Sequence, residues 1–195
     1  DKKRTILFRM EPNMHKNPQQ WGEWANPVDT DFLYVARHEL GYCNICEWNI
    51  SKTYSYLANP LNTMIKTHDK ILSTVISGKY KDVGHIKRID SLKFLEKQEM
   101  PVHVYGNNRW EWKEYKGYLT WHCKDDGLFP YKYTFNCENQ SIKNYVTEKL
   151  YDGILSECLT FYSGCPNIKE YIDERAYVYL DLSNFDHDYK IIKKA

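Results

Sequence analysis

The fold is decided by residues 70–106, KILSTVISGKYKDVGHIKRIDSLKFLEKQEMPVHVYG. Residues 70–77 are β-branched and apolar and read as a buried strand. Residues 78–84 are a polar loop bounded by Gly78 and Gly84. Residues 85–97 carry Ile86, Ile89, Leu92 and Leu95 at helical spacing. Residues 102–105 make a short strand that stops at Gly106. This is one strand–helix–strand unit.

The same alternation continues outward. Tyr131, Tyr133 and Phe135 alternate through a strand at 131–137. Residues 147–158 are helical, with Leu150, Ile154 and Cys158 one turn apart. A strand at 159–162, a short helix at 166–172 and a strand at 177–182 follow. Upstream, 5–10 and 31–36 read as short strands, separated by a loop rich in Pro, Asn, Gln and Trp. Residues 48–57 fit helix or strand, and 107–121 have no assignment. Asn59-Pro60-Leu61-Asn62 is a turn and a lobe boundary. Strands alternating with helices predict an α/β fold: a Rossmann-like lobe with a mainly parallel sheet. The predicted division is a lobe remnant at 1–65 and a binding domain at 66–195. No repeat or low-complexity segment interrupts it.

The whole chain has 195 residues, enough for one domain or one domain plus part of another. Its 27 Lys and Arg against 26 Asp and Glu leave a charge of +1, without the basic excess of a nucleic-acid binder. No apolar run reaches the ~18–20 residues of a membrane span. No signal peptide is evident, and the chain starts at Asp1. With 42% apolar residues it is not disordered. Seventeen Tyr and six Trp suit a concave sugar site and an ordinary core equally.

Cys43 and Cys46 form a CxxC, but no second close pair completes a zinc site. The remaining cysteines read as reduced, small hydrophobes. Asp29-Thr-Asp31 and Asp186-His-Asp188 have the form of metal-diphosphate triplets; both read as solvated loops. No metal site is expected.

Two predicted helices begin with cations: Gly84-His85-Ile86-Lys87-Arg88 and Tyr145-Val146-Thr147-Glu148-Lys149. A cation in the first turn opposes the helix dipole. A phosphate at that position is favoured. Lys87 or Lys149 alone reads as a surface lysine; the pair makes sense around an anion. GxGxxG and P-loop motifs are both absent.

Cys137-Glu138-Asn139, five residues, then Tyr145-Val146-Thr147-Glu148-Lys149 resembles the signature of glycosyltransferase family ten, the α-1,3/1,4-fucosyltransferases. The likeness continues through Leu150-Tyr151-Asp152-Gly153 and Phe161-Tyr162-Ser163-Gly164-Cys165-Pro166-Asn167 to residues 177–185. Upstream, Gly84–Arg88 is similar to the family's basic helix start, and Val104-Tyr105-Gly106 to its short strand. Glu11-Pro12-Asn13 resembles the segment that carries its proposed base. Cys137 stands where Phe is usual, His85 where Arg is found, and Ser163 where Trp or Leu is common.

The resemblance implies a two-lobed GT-B arrangement, with this chain supplying mainly the donor lobe. Residues 1–65 are then the end of an acceptor lobe, in a truncated chain or a compact variant. It implies inverting transfer of a sugar from a nucleotide-sugar, GDP-fucose first, to a hydroxyl of a glycan or glycoconjugate. Glu11 is the implied base. His85, Arg88, Glu138, Asn139, Tyr145, Thr147, Glu148 and Lys149 are the implied donor-binding residues. With Arg88 and Lys149 on the diphosphate, no metal or other cofactor is required. Another sugar nucleotide, or a binding module without turnover, remains open. Family members occupy the Golgi lumen or the cytoplasm. The sequon Asn139-Gln-Ser141 overlaps the implied donor site and points to the cytoplasm; Asn49-Ile-Ser51 is a second sequon.

Overall fold

Parallel strands cannot be joined by a tight turn, so most steps across this sheet carry a crossover with a helix or a long loop. The computed structural model describes residues 1–11, 29–42, 48–62, 69–120 and 123–195. Strands β3 (Lys70–Ile76), β4 (Val102–Gly106), β5 (Tyr115–Gly117), β6 (Tyr131–Cys137), β7 (Leu159–Ser163) and β8 (Tyr177–Tyr179) form one sheet. Its order is β5-β4-β3-β6-β7-β8, and every pairing is parallel. A separate pair joins β1 (Ile6–Phe8) to β2 (Tyr34–Ala36), also in parallel.

The chain enters the large sheet at its centre, in β3, and steps outward through β4 to β5. It then returns to the other side of β3 and runs through β6 and β7 to β8. The winding reverses between β3 and β6. At such a point the loops diverge and open a crevice beyond the carboxyl ends of the strands.

Helix α2 (Val83–Lys97) covers one face of the sheet. Its Ile89, Leu92 and Leu95, each 1% exposed, pack on Leu72, Ile76, Val104 and Phe135. Each such burial contributes about 1.5–3 kcal/mol. Helix α4 (Phe185–Lys194) adds Ile192 to the same cluster. Helix α3 (Glu148–Leu155) buries Leu150 against Tyr162 in a second cluster. Phe161 belongs to the first cluster and Tyr162 to the second, and neighbours on a strand point to opposite faces. The helices therefore sandwich the sheet. A third cluster, built on Tyr105, Leu128 and Tyr131, captures Ile50 from the early part of the chain. A short helix α1 (Tyr54–Leu57) follows, capped by Thr53.

The predicted α/β fold with a parallel sheet is the fold observed. The differences are local. The first long helix starts at Val83 rather than residue 85. The 107–121 stretch contributes β5 and the buried Trp112. Residues 166–172 make only a single 3-10 turn, Ile168–Glu170. Asp186 and Asp188 lie in the first turn of α4, not in a solvated loop. Asn184 caps that helix, and the buried Asp188 carboxylate accepts the Leu182 amide at 2.8 Å. The acids there complement the helix dipole. Asp31 sits in a 3-10 turn, 3.8 Å from Lys2. Cys137, Cys158 and Cys165 are buried and outside any disulfide, as read, whereas Cys123 is exposed. The Cys43–Cys46 motif and Pro12-Asn13 lie outside the described residues. No described helix is long and apolar enough to cross a membrane.

Gly84 brings α2 against the loop after β6: a Cβ there would overlap the carbonyl of Asn139. Alanine normally gains about 1 kcal/mol over glycine inside a helix. Forced overpacking costs about 1–3 kcal/mol, and here the obstacle is backbone, which cannot rotate away. The clash wins, so Gly84→Ala lowers the midpoint of urea unfolding. A raised midpoint would show that the 138–140 loop yields freely.

Candidate functional site

The carboxyl ends of β3 and β6 and the starts of α2 and α3 converge on one open cleft of ≈ 810 Å³. Glu11, His85, Arg88, Asn139, Tyr145, Thr147, Glu148 and Lys149 all line it. Glu138, also singled out in the sequence, lies directly beneath Lys149.

Arg88 joins the two strands across the switch point. Its guanidinium donates to Ser77 Oγ at 3.0 Å and to Asn139 Oδ1 at 2.8 Å. A longer contact, 3.4 Å, reaches the Cys137 carbonyl. All these partners are neutral. Arg88 is 5% exposed and makes no ion pair with a described carboxylate. Burial lowers its pKa, opposed by Cys137 and Glu138, yet a guanidinium stays charged. Lys87, paired with Lys149 in the sequence reading, does not line the cleft. Arg88 does, because three residues separate it from His85 and place both on one helix face.

His85 is fully buried, with Nδ1 2.8 Å from an Asp82 carboxylate oxygen. Burial and then Arg88 push its pKa down to about 3. The ring is therefore neutral at ordinary pH and adds no positive charge to the cleft.

The start of α3 is organised by Glu138. Its carboxylate, without solvent exposure, accepts the Thr147 amide at 2.8 Å and the Thr147 hydroxyl at 2.7 Å. Lys149 Nζ sits 3.4 Å from Glu138 and 3.4 Å from Glu148. Burial opposes the Lys149 charge, but Glu138 and Glu148 outweigh it and raise its pKa. Lys124 Nζ is 3.4 Å from Glu148 and 2.6 Å from Asp152, one turn further along α3. Burial would raise the Glu148 carboxyl, yet Lys149 and Lys124 prevail and hold it at about 2. Charge thus alternates along the row Glu138, Lys149, Glu148, Lys124, Asp152.

Glu11 reaches the cleft from the first segment of the chain. Burial raises its pKa, and Lys149 and Lys79 only partly oppose this. Tyr145 is 1% exposed, and its ring meets the His38 ring edge-on at 5.2 Å. Asn144, beside it, donates to the His38 carbonyl at 2.6 Å.

The sequence reading missed several lining residues. Lys79, Lys81, Arg109 and Lys124 add positive charge, and Asn49 and Ser77 add neutral polar groups. Lys79 and Lys81 lie in the loop after β3, where a switch-point argument could have found them. Lys124 carries no motif, and the sequon at Asn49 does not point to the cleft. Among the described residues, no three His, Cys, Asp or Glu side chains group to hold a metal ion.

The family model described as Glycosyltransferase family 10 (fucosyltransferase) C-term matches residues 65–193. No curated protein matches the chain. Among solved structures, an alpha1,3-fucosyltransferase with GDP-fucose is similar, with a TM-score of 0.54 and 24% identity. That match covers 72% of this chain and 39% of the other. A structure entitled alpha1,3-fucosyltransferase, without a named ligand, has a TM-score of 0.52 and 26% identity, covering 72% of this chain and 38% of that one. The present chain thus spans well under half the length of either.

Thr147→Val removes a hydroxyl from the buried Glu138 carboxylate and from the cap of α3. Leaving such an acceptor short of a partner costs about 1–3 kcal/mol. We expect urea unfolding to show that loss, with unchanged far-ultraviolet circular dichroism at low denaturant. An unchanged midpoint would mean that the Thr147 amide and Lys149 alone satisfy Glu138.

Proposed function

The chain belongs to glycosyltransferase family 10, and from that membership we propose that its cleft binds a nucleotide-sugar, GDP-fucose first, for inverting transfer to a hydroxyl of a glycan or glycoconjugate. The observation that carries this reading is Arg88. It is a buried cation satisfied only by neutral oxygens, facing the same cleft as Lys149 at the switch point. A diphosphate there would meet two cations and the amide-rich starts of two helices.

In the proposed reaction the acceptor oxygen attacks the anomeric carbon as the bond to the diphosphate breaks. Glu11 takes the acceptor proton. Burial raises its pKa, which makes it a stronger base than an ordinary carboxylate. Arg88 and Lys149 stabilise the charge that develops on the departing diphosphate. In this reading the two side chains do the work that a metal ion would otherwise do. His85 is neutral and serves as a packed wall of the phosphate site. Glu148 and Asn139 bind hydroxyls of the donor. Tyr145, Thr147 and Glu138 hold these groups in place. Residues 66–195 are the proposed donor-binding domain, with 1–65 contributing the acceptor side. A glycan on Asn139, which lines the cleft, would occupy space proposed for the donor, and this favours a cytoplasmic setting.

Calorimetry with GDP, GDP-fucose and UDP tests the donor. We expect GDP and GDP-fucose to bind and UDP to bind more weakly. Lys149→Ala should weaken GDP by about 10- to 150-fold, the ~1.5–3 kcal/mol of a charged hydrogen bond. Preference for UDP would move the assignment to another sugar nucleotide. Undiminished GDP affinity in a folded Lys149→Ala protein would sink the site.

Glu11→Gln should lower kcat by about 10²- to 10⁴-fold with little change in GDP affinity. The pH profile follows from the raised pKa of Glu11. The base is lost as pH falls through that value, so the acid limb of kcat/KM lies above the ordinary carboxylate range. An acid limb that persists unchanged in Glu11→Gln would remove Glu11 from the role.

A further inference from the structure

Residues 48–51 lie outside the family-matched span, yet they reach the cleft. Ile50 anchors them, 4% exposed among Leu128, Tyr131 and Cys158. On either side of Ile50 the chain is tied down by charged groups. The Asn49 amide donates to Asp152 Oδ1 at 2.6 Å, and the Asn49 carbonyl accepts the Lys124 amide at 3.0 Å. The Ser51 amide donates to Asp125 at 2.8 Å, and the Ser51 hydroxyl bonds the same carboxylate. Asp152 is the fully buried end of the charged row that holds Glu148. The Asn49 backbone is therefore fixed relative to Glu148 through a single intermediate, Lys124.

The side chain of Asn49 is treated differently. Asn49 lines the cleft, and its side chain makes no hydrogen bond with any described residue. The backbone ties would serve any residue type, and no described residue gives this amide a partner. An amide offers two donors and an acceptor on one plane. Held on a rigid backbone, it matches neighbouring ring hydroxyls, which both donate and accept. The cations around it are suited to phosphate instead. A few fixed polar groups of this kind orient ligands in otherwise preformed sites.

We infer that Asn49 is a substrate-binding residue whose side-chain amide hydrogen-bonds the hydroxyls of a sugar ring in this cleft. The inference rests on the nucleotide-sugar reading above. The ring belongs to the donor, as ribose or as the transferred sugar, or to the acceptor.

The test compares wild type with Asn49→Ala. Binding of pyrophosphate, GDP and GDP-fucose is measured by calorimetry. Turnover is measured with GDP-fucose and an N-acetyllactosamine probe. The Asn49 side chain bonds no described residue, so the melting midpoint should not move. We expect pyrophosphate affinity to be unchanged and one sugar-containing ligand to weaken about tenfold, the loss of one or two neutral hydrogen bonds. Weakening of GDP assigns the ribose. Weakening of GDP-fucose but not GDP assigns the transferred sugar. A raised KM for the probe alone assigns the acceptor. Unchanged values throughout overturn the inference while Lys149-dependent GDP binding keeps the functional reading. Equal losses for every ligand, pyrophosphate included, also overturn it, because they mark a general disturbance. If wild type binds none of the three, the functional reading fails and this inference with it.

Discussion

A carboxylate buried without solvent exposure is expensive unless its lone pairs and charge are matched. Glu138 is that carboxylate, and the arrangement of the cleft depends on how it is matched. Two of its bonds come from Thr147, which also caps α3, and its countercharge is Lys149. Satisfying Glu138 therefore fixes where α3 begins and where the Lys149 amine stands. The same requirement passes along the row. Lys149 draws in Glu148, Glu148 draws in Lys124, and Lys124 neutralises the buried Asp152. Asp152 in turn holds the Asn49 backbone. A strand end, a helix start, a loop and a distant early segment share one electrostatic network.

Arg88 is the exception to this matching. Every other cation of the row faces a carboxylate, whereas Arg88 meets hydroxyl, amide and carbonyl oxygens only. Neutral dipoles orient a guanidinium but do not cancel its charge. At the crevice the helix starts add positive potential of their own. A doubly charged ligand would complete the network in a way that no described side chain does. The low pKa of His85 reflects the same field: burial and the nearby Arg88 keep a second charge from appearing there.

Much of this was legible in the sequence, and the reasons divide cleanly. β3, α2 and β4 were readable because apolar spacing is set by which face meets the core. The parallel order followed from strands separated by helices. The α4 helix was missed because its ten residues are mostly charged or polar, with Ile191 and Ile192 late in the segment. Its start is specified by Asn184 and Asp188 through local hydrogen bonds rather than by a hydrophobic stripe. The basic helix starts were visible, but the choice between Lys87 and Arg88 depended on the true phase of α2. Neither Lys124 nor Asn49 was legible as a cleft residue. Each acquires its position from a partner far away in sequence, Asp152, and no local pattern records such a pairing.

The two carboxylates proposed for chemistry and for donor binding show how one cleft can give like groups unlike tasks. Burial acts on both and pushes both pKa values up. At Glu148 the push is overcome by Lys149 and Lys124, and the carboxyl settles at about 2. At Glu11 the more weakly opposed burial prevails. Glu148 is thus ionised at neutral pH, which suits a fixed acceptor for hydroxyls and a member of the charged row. Glu11 keeps a proton affinity above that of a solvated carboxylate, which suits a group that must take a proton and give it up again. Environments that push two titratable groups apart in this way separate the proton-transferring group from the charge-holding one. The division follows from pairing: Glu148 has ion pairs with Lys149 and Lys124, and Glu11 has none with a described residue.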